Sequence, residues 1–432
     1  MQHDSPVAGK RLLILDGTQI GREIVLHAQR MGVVAIVADY NDVSKAPAKQ
    51  IADEHVLVSI TDVDAVVQAI ADHRIDGVVA GFSDMILPFY AEICERAGLP
   101  AYANPDLFRT FTDKSVYKQL CDEHGVPVVE GYSIEDFDDR SETEIRFPVI
   151  VKPSRGSGSR GVTVCHDRES VRSVAVELNV STDDDLIIEQ FLEGDEATAF
   201  WLFGDGVYEL TMLANRHTVR YDQDSPPLPF AYTSPSASVH RYQEEITPAV
   251  RQMLASAGVR DGMMFMQGIV DRDGVFRTYD IGFRVTGTQE YRLLDELVGI
   301  NPLDMLIGFA LTGRMLPGDW PDSIDPAAGP YSFNVSVSMA PGTVHDVMGL
   351  DEVRAMPEVV SAIPTRNPGD VLPLEGKGQL RQIAVRVLGT AESEEHLLAA
   401  ASKIRERIRI VADDGQDLTL DPPALEVTGK LA

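Results

Sequence analysis

Four short apolar runs, RLLILDG (11–17), VVAIVADY (33–40), HVLVSI (55–60) and GVVAGF (77–82), punctuate the first part of the chain. Each has the length and composition of a buried strand. Between the first two, Ile24, Val25, Ala28 and Met31 recur at helical spacing, and Gly32 closes the run. Residues 63–74 read as another helix. Strands alternating with helices predict a doubly wound parallel sheet. Ligands of such sheets sit beyond the strand C-terminal ends, where Asp16-Gly17 and Asp39-Tyr40 fall. Gly17 and Gly21 do not complete a dinucleotide fingerprint, so bound NAD is not expected. Asp39 stays open between a substrate-site residue and a solvated loop aspartate. Residues 1–10 read as a disordered tail.

After Pro105 the pattern predicts a helix over 112–124, capped by Thr112 or Asp113. Residues 147–210 alternate short strands with a helix over 169–178 and the strand LIIEQF. A helix is expected over 244–257. MMFMQGIVD and VFRTYDIGF flank Arg272-Asp273-Gly274, a strong hairpin signal. An apolar helix spans 302–312 and stops at Gly313. The segment LPGDWPDSIDPAAGP (316–330) reads as a linker. Beyond it come strands, a helix over 393–407 and the strand RIRIV.

Composition narrows the class. The 432 residues are 44% hydrophobic and 24% charged, as in a soluble globular enzyme. That length suggests about two to four domains. No apolar run approaches the roughly 18 residues of a membrane span, and the N-terminus does not read as a signal peptide. The three cysteines, Cys94, Cys121 and Cys165, are far apart, which fits a reduced cytoplasmic protein and gives no structural zinc pattern. The net charge of −29 disfavours nucleic acid as a partner. A polyphosphate would therefore need cations gathered locally, as in Lys152, Arg155 and Arg160.

Those residues lie in FPVIVKPSRGSGSRG (147–161), where an apolar strand delivers Lys152 to a glycine- and serine-rich loop. Backbone N–H groups in such a loop can point at phosphate oxygens, and the lysine adds a full charge. The lysine precedes the glycines, unlike a P-loop. Three other segments fall in order around it: Thr112-Asp113-Lys114 at a helix start, IIEQFLEGDE (187–196), and the hairpin with Gln267, Asp280 and Arg284. In this order the motifs resemble the ATP-grasp superfamily of carboxylate–amine ligases. PGTVHDVMGLDEV (341–353) and NPGDVL (367–372) look like the carbamoyl-phosphate-synthase-like and L-amino-acid-ligase-like members.

The resemblance implies an α/β chain with an α+β ATP-grasp core. Its parts would be an N-terminal doubly wound domain (11–111), an ATP-grasp domain (112–315) with a mobile lid over about 126–192, and a small C-terminal α/β domain (330–432). It implies that Lys114 and Lys152 hold ATP phosphates. Arg155, Gly156, Ser157, Gly158, Ser159 and Gly161 would close over the γ-phosphate. Gln190, Phe191 and Leu192 would read adenine by their backbone, with Glu189 near its amine. Glu196 would accept from the ribose hydroxyls. The family's second metal strand commonly ends E-x-N-x-R. Here it reads Asp280-Ile281-Gly282-Phe283-Arg284, so the asparagine ligand is lost, and Gln267 is the matching residue on the first strand. One carboxylate then remains for Mg²⁺ or Mn²⁺, which uses few protein carboxylates beside nucleotide phosphates. Arg284, with Lys152, is implied as the catalytic cation.

The expected activity is ATP-dependent ligation of a small carboxylate, such as an amino acid, to an amine, giving ADP and phosphate. Relatives often dimerise, so a homodimer is one expected assembly. Two other readings stay open: an ATP-binding module whose thinned metal site has lost turnover, and a biotin-carboxylase-like enzyme. The polar, proline-rich segment 216–235 is expected to line the acceptor site, with Arg216 or Arg220 pairing a substrate carboxylate, or else to be a surface connector.

Overall fold

The structure, a computed structural model, describes residues 6–138, 141–153, 162–178, 186–221, 227–315 and 324–426. Strands β1 (Arg11–Leu15), β2 (Val34–Asp39), β3 (Glu54–Leu57) and β4 (Gly77–Ala80) form a parallel sheet in the order β3-β2-β1-β4. They are joined by α1 (Gly21–Arg30) and α2 (Val63–Asp72), and α3 (Leu87–Ala97) follows. The expected tail is partly built in: Val7 is fully buried and the Gly9 N–H donates to Gly32 O at 2.8 Å.

The helix expected over 112–124 is α5 (Lys114–Glu123), and a further helix, α4 (Pro105–Thr112), runs directly before it. Asp113, at φ −90° and ψ 114°, breaks the path, and its carboxylate then accepts from Ser115 N (3.0 Å) and Val116 N (3.2 Å). It closes one helix and caps the next. A small antiparallel sheet follows, of β5 (Gly131–Tyr132), β6 (Val149–Pro153), β7 (Thr163–Cys165) and β8 (Leu186–Gln190), in the order β5-β8-β6-β7. Helix α6 (Arg168–Glu177) covers it over a core that includes Phe137, Val149, Val151, Val171 and Ile188.

The largest element is a nine-stranded antiparallel sheet. It contains β9 (Asp195–Gly204), β10 (Val207–Val219), β11 (Leu228–Ser234), β12 (Gly262–Val270), β13 (Phe276–Gly282) and β14 (Tyr331–Met339). The helix expected over 244–257 is α8 (Thr247–Ser256), and a short α7 (Val239–Glu245) precedes it, set apart because Pro248 cannot donate to the preceding turn. After β13 come α9 (Tyr291–Val298) and α10 (Pro302–Thr312). The C-terminal region adds β15 (Gly342–Met348), α11 (Leu350–Arg354), β16 (Val359–Pro364), β17 (Val371–Leu372), β18 (Ile383–Ala391), α12 (Glu394–Arg407), β19 (Arg409–Ala412) and β20 (Thr419–Leu420). The sheet runs β13-β12-β9-β10-β11-β14-β18-β16, with β20 beside β14. It therefore continues across residue 330 through the β11–β14 ladder.

One face of β9 and β12 shares a core with the first sheet, through Leu13, Val78, Trp201, Met264 and Phe283. The C-terminal strands pack on α12 through Val335, Val385, Leu397 and Ile404. On the opposite face, α9 seats Leu293 and Leu294 over Phe200, Met212, Tyr232, Phe265 and Leu388. Part of that face is left uncovered and forms one wall of a cavity of about 2540 Å³. The three cysteines are buried and free.

Candidate active site

Helix α5 carries Lys114 and Lys118 one turn apart, on a common face. Strands β6 and β8 supply the groups that meet them. Ile150 lies opposite Glu189 and Lys152 opposite Ile187, so Lys152 and Glu189 are diagonal neighbours on one face. Lys152 Nζ donates to Glu189 Oε2 at 2.6 Å, and Lys118 Nζ donates to Glu189 Oε1. Lys114 Nζ lies 3.5 Å from Asp280 Oδ1. Glu189 is only 2% exposed. Burial pushes its carboxyl up, but Lys152 and Lys118 outweigh burial and hold it below the usual carboxylate range. Burial pulls the Lys152 ammonium down, with Glu189 opposing. Both oxygens of Glu189, expected near the adenine amine, are thus engaged by lysines. Lys118 was missed in the sequence; its one-turn offset from Lys114 was the available signal.

Gln267 and Asp280 stand directly opposite across the β12–β13 ladder, where the register shifts between Gln267 and Gly268. Such a bulge re-aims side chains, and both residues line the cavity. Among the described residues no group of three or more His, Cys, Asp or Glu could hold a metal. One carboxylate and one amide do fit a Mg²⁺ that brings most of its oxygen ligands with a nucleotide. The missing asparagine has a steric counterpart. Phe265 lies opposite Gly282, and a Cβ at Gly282 would come 2.3 Å from two carbons of its ring. The ring takes the room a ligand side chain would need.

Arg284 rests over that ring, 5.2 Å from its centroid. Its Nε and Nη2 donate to the two oxygens of Asp84 at 2.8 and 2.6 Å, and Nη1 donates to Val285 O at 3.0 Å. The expected catalytic cation therefore has an internal carboxylate, and ties the loop after β4 to the end of β13. Nothing in the sequence pointed to Asp84.

Glu196, Arg216, Tyr232 and Tyr279 form a ladder beside the lysines. Arg216 Nη1 and Tyr279 Oη (3.1 Å) donate to Glu196 Oε2, and Thr218 Oγ1 donates to Oε1 at 3.4 Å. Arg216 Nε donates to Tyr232 Oη at 3.2 Å, and Lys152 Nζ sits 5.7 Å from the Tyr279 ring centroid. Arg216, expected at the acceptor site, lines the cavity and is paired with Glu196, both of whose oxygens are engaged. Arg220 is exposed at the cavity rim. Gln190 N and Phe191 N donate to Glu130 O and Pro148 O, while Leu192 lines the cavity. Arg155, Gly156, Ser157, Gly158, Ser159 and Gly161 lie outside the described residues.

Residues 145–287 match the ATP-grasp domain family. The chain carries an ATP-grasp domain. A formate-dependent phosphoribosylglycinamide formyltransferase from Ignicoccus hospitalis is 23% identical over 74% of this chain and 79% of its own. Other curated relatives are matched over 48% of their length. An L-amino acid ligase from Bacillus licheniformis superposes with a TM-score of 0.76 at 19% identity, over 94% of this chain and 99% of that one. The biotin carboxylase domain of Hydrogenobacter thermophilus 2-oxoglutarate carboxylase, solved with MgADP and bicarbonate, gives 0.74 at 17% identity, over 95% and 91%. The ATP-grasp fold thus extends over nearly the whole chain. No described helix is long and apolar enough to cross a membrane.

Proposed function

We propose that this ATP-grasp chain is a ligase that activates a small carboxylate with ATP and passes the acyl group to an amine. The observation that carries the reading is that Lys114 and Lys152 line one cavity with Asp280 opposite Gln267, while Lys118 pairs with Glu189 beside them. In a chain of net charge −29, these three cations against Glu189 and Asp280 leave a local positive excess suited to a polyphosphate.

A substrate carboxylate oxygen attacks the γ-phosphorus of ATP, the bond to the bridging oxygen breaks, and ADP leaves. The amine nitrogen then attacks the acyl carbon, phosphate departs, and the amine gives up a proton. No protein nucleophile is needed, so the work is positioning and charge neutralisation. Lys114 and Lys152 neutralise phosphate oxygens. Lys118 and Glu189 fix where Lys152 points. Asp280 and Gln267 would hold Mg²⁺, which supplies further neutralisation of phosphate charge when bound.

The single carboxylate favours a second reading, nucleotide binding without turnover. ADP release separates the two, measured with ATP, Mg²⁺ and pools of carboxylates and amines, with bicarbonate plus biotin as a further arm. Release that needs both a carboxylate and an amine is expected. ATP binding with no release in any pool would sink the ligase reading. Release only with bicarbonate and biotin would replace it with a carboxylase.

A further inference from the structure

Arg386 stands in the middle of β18, flanked by Ile383, Ala384, Val385, Val387 and Leu388, all of them buried. Its side chain is itself only 6% exposed, yet it lines the cavity. Its one hydrogen bond among the described residues goes from Nη1 to Ser336 Oγ at 3.2 Å, and it makes no ion pair among them. Glu290 is near enough to act on it electrostatically, as is Tyr232. But Glu290 is spent elsewhere. Thr286 and Thr288 hydroxyls donate to its Oε2, and Asn334 Nδ2 donates to Oε1 at 3.0 Å.

A buried guanidinium costs heavily in desolvation unless a partner repays it. Burial already pulls Arg386 below its ordinary range. Of the five N–H donors on the side chain, most remain unmatched, and the cavity is where they can be met. Arg216 and Arg284, the two other well-buried arginines of this cavity, both have carboxylate partners. The contrast marks Arg386 as the one whose partner comes from outside.

We infer that Arg386 anchors a carboxylate group of the ligase's substrate, with the Tyr232 hydroxyl as a second donor. The site rests on the proposed ligase reading for its place in the reaction, though not for its ability to bind. Tyr232 Oη accepts from Arg216 Nε, which leaves its own proton free to donate. The planar fork of an arginine matches the two oxygens of a carboxylate. A monocarboxylate also meets less repulsion from buried Glu290 than a phosphate dianion would. Arg366 and Arg381 line the same wall, with Arg366 turned onto Arg381 O at 2.6 Å. These two more accessible cations form the approach.

The test uses the full chain and the variants Arg386→Met, Arg386→Lys and Tyr232→Phe, with Arg220→Ala as the comparison. Binding of acetate, acetamide and inorganic phosphate is followed by saturation-transfer NMR, and KM values come from ADP release with whichever carboxylate supports it. Acetate should bind, and acetamide should not. Arg386→Met should abolish acetate binding and raise the carboxylate KM about 10- to 100-fold, the size of one lost charge-assisted pair, with the KM for ATP changed less than about twofold. Arg386→Lys keeps the charge without the fork and should fall between. Unchanged acetate binding and KM in Arg386→Met would overturn the inference, as would a fall in Tm with KM unaltered. Phosphate binding in preference to acetate would overturn the carboxylate assignment. If no carboxylate supports ADP release but acetate binding still depends on Arg386, the ligase reading fails and the anchor stands.

Discussion

At Gly282 the sequence shows a missing ligand, and the structure shows what fills its place. The Phe265 ring occupies the space in which a Cβ would sit, and Arg284 packs on the ring's outer face. The loss of asparagine is therefore part of a repacking, which a substitution at 282 alone cannot reverse. Gly282→Asn should destabilise the protein by about 1–3 kcal/mol, the usual cost of overpacking, read as a lower urea midpoint. Gly282→Asn with Phe265→Ala should recover part of that loss, because contacting residues are not additive. A Gly282→Asn protein as stable as the parent would show that the ring moves freely. At this scale the cation positions were legible, since Lys114 and Lys152 sit in recognisable local patterns. Their partners were not. Asp84 reaches Arg284 across 200 positions of sequence, and no local pattern records such a pair.

Among the elements, α5 matters most to the site, because it holds two of the three lysines. Its start is set by Asp113, which also ends α4. Asp113→Ala should cost about 1 kcal/mol of stability, seen as a lower Tm. It should also raise the KM for ATP, since fraying of the first turn shifts Lys114 directly. Lower Tm with an unchanged ATP KM would mean that Lys114 does not touch the nucleotide. Apolar periodicity placed the strands of the first sheet and α10 to within a few residues. It placed α5 and α8 within their expected spans and did not show α4 and α7, which precede them across short breaks in the backbone. The breaks are set by single residues, Asp113 and Pro248, whose effect is on backbone geometry and not on the hydrophobic pattern. Strand pairing was illegible for another reason. The order β12-β9-β10 depends on contacts between distant segments, and alternation within one strand does not name its neighbour.

Over the whole molecule, the nine-stranded sheet joins what the sequence divides. The proline-rich segment 316–330 looks like a boundary, yet β11 pairs with β14 over Ala231–Ser234 and Val335–Ser332. Removing residues 331–432 would strip β11 of a neighbour and expose Phe230, which packs in the C-terminal core. The shortened chain should aggregate or lose cooperative unfolding, judged by light scattering and a urea titration. A monomeric, cooperatively folding fragment would show that the C-terminal region folds as a separate domain. The fold class was readable from motif order, as was the gathering of Lys114, Lys152, Gln267 and Asp280 at one cavity. The sharing of one sheet by its two ends was not.

The ladder from Lys152 through Tyr279, Glu196 and Arg216 to Tyr232 runs from the lysine cluster to the neighbourhood of Arg386. An anion at either end draws on charges that the other end also feels. On the proposed assignments, nucleotide and carboxylate are then linked ligands. Whatever factor ATP applies to the carboxylate's affinity, the carboxylate must apply to ATP's. Two titrations, each run with the other ligand saturating, have to return one coupling constant.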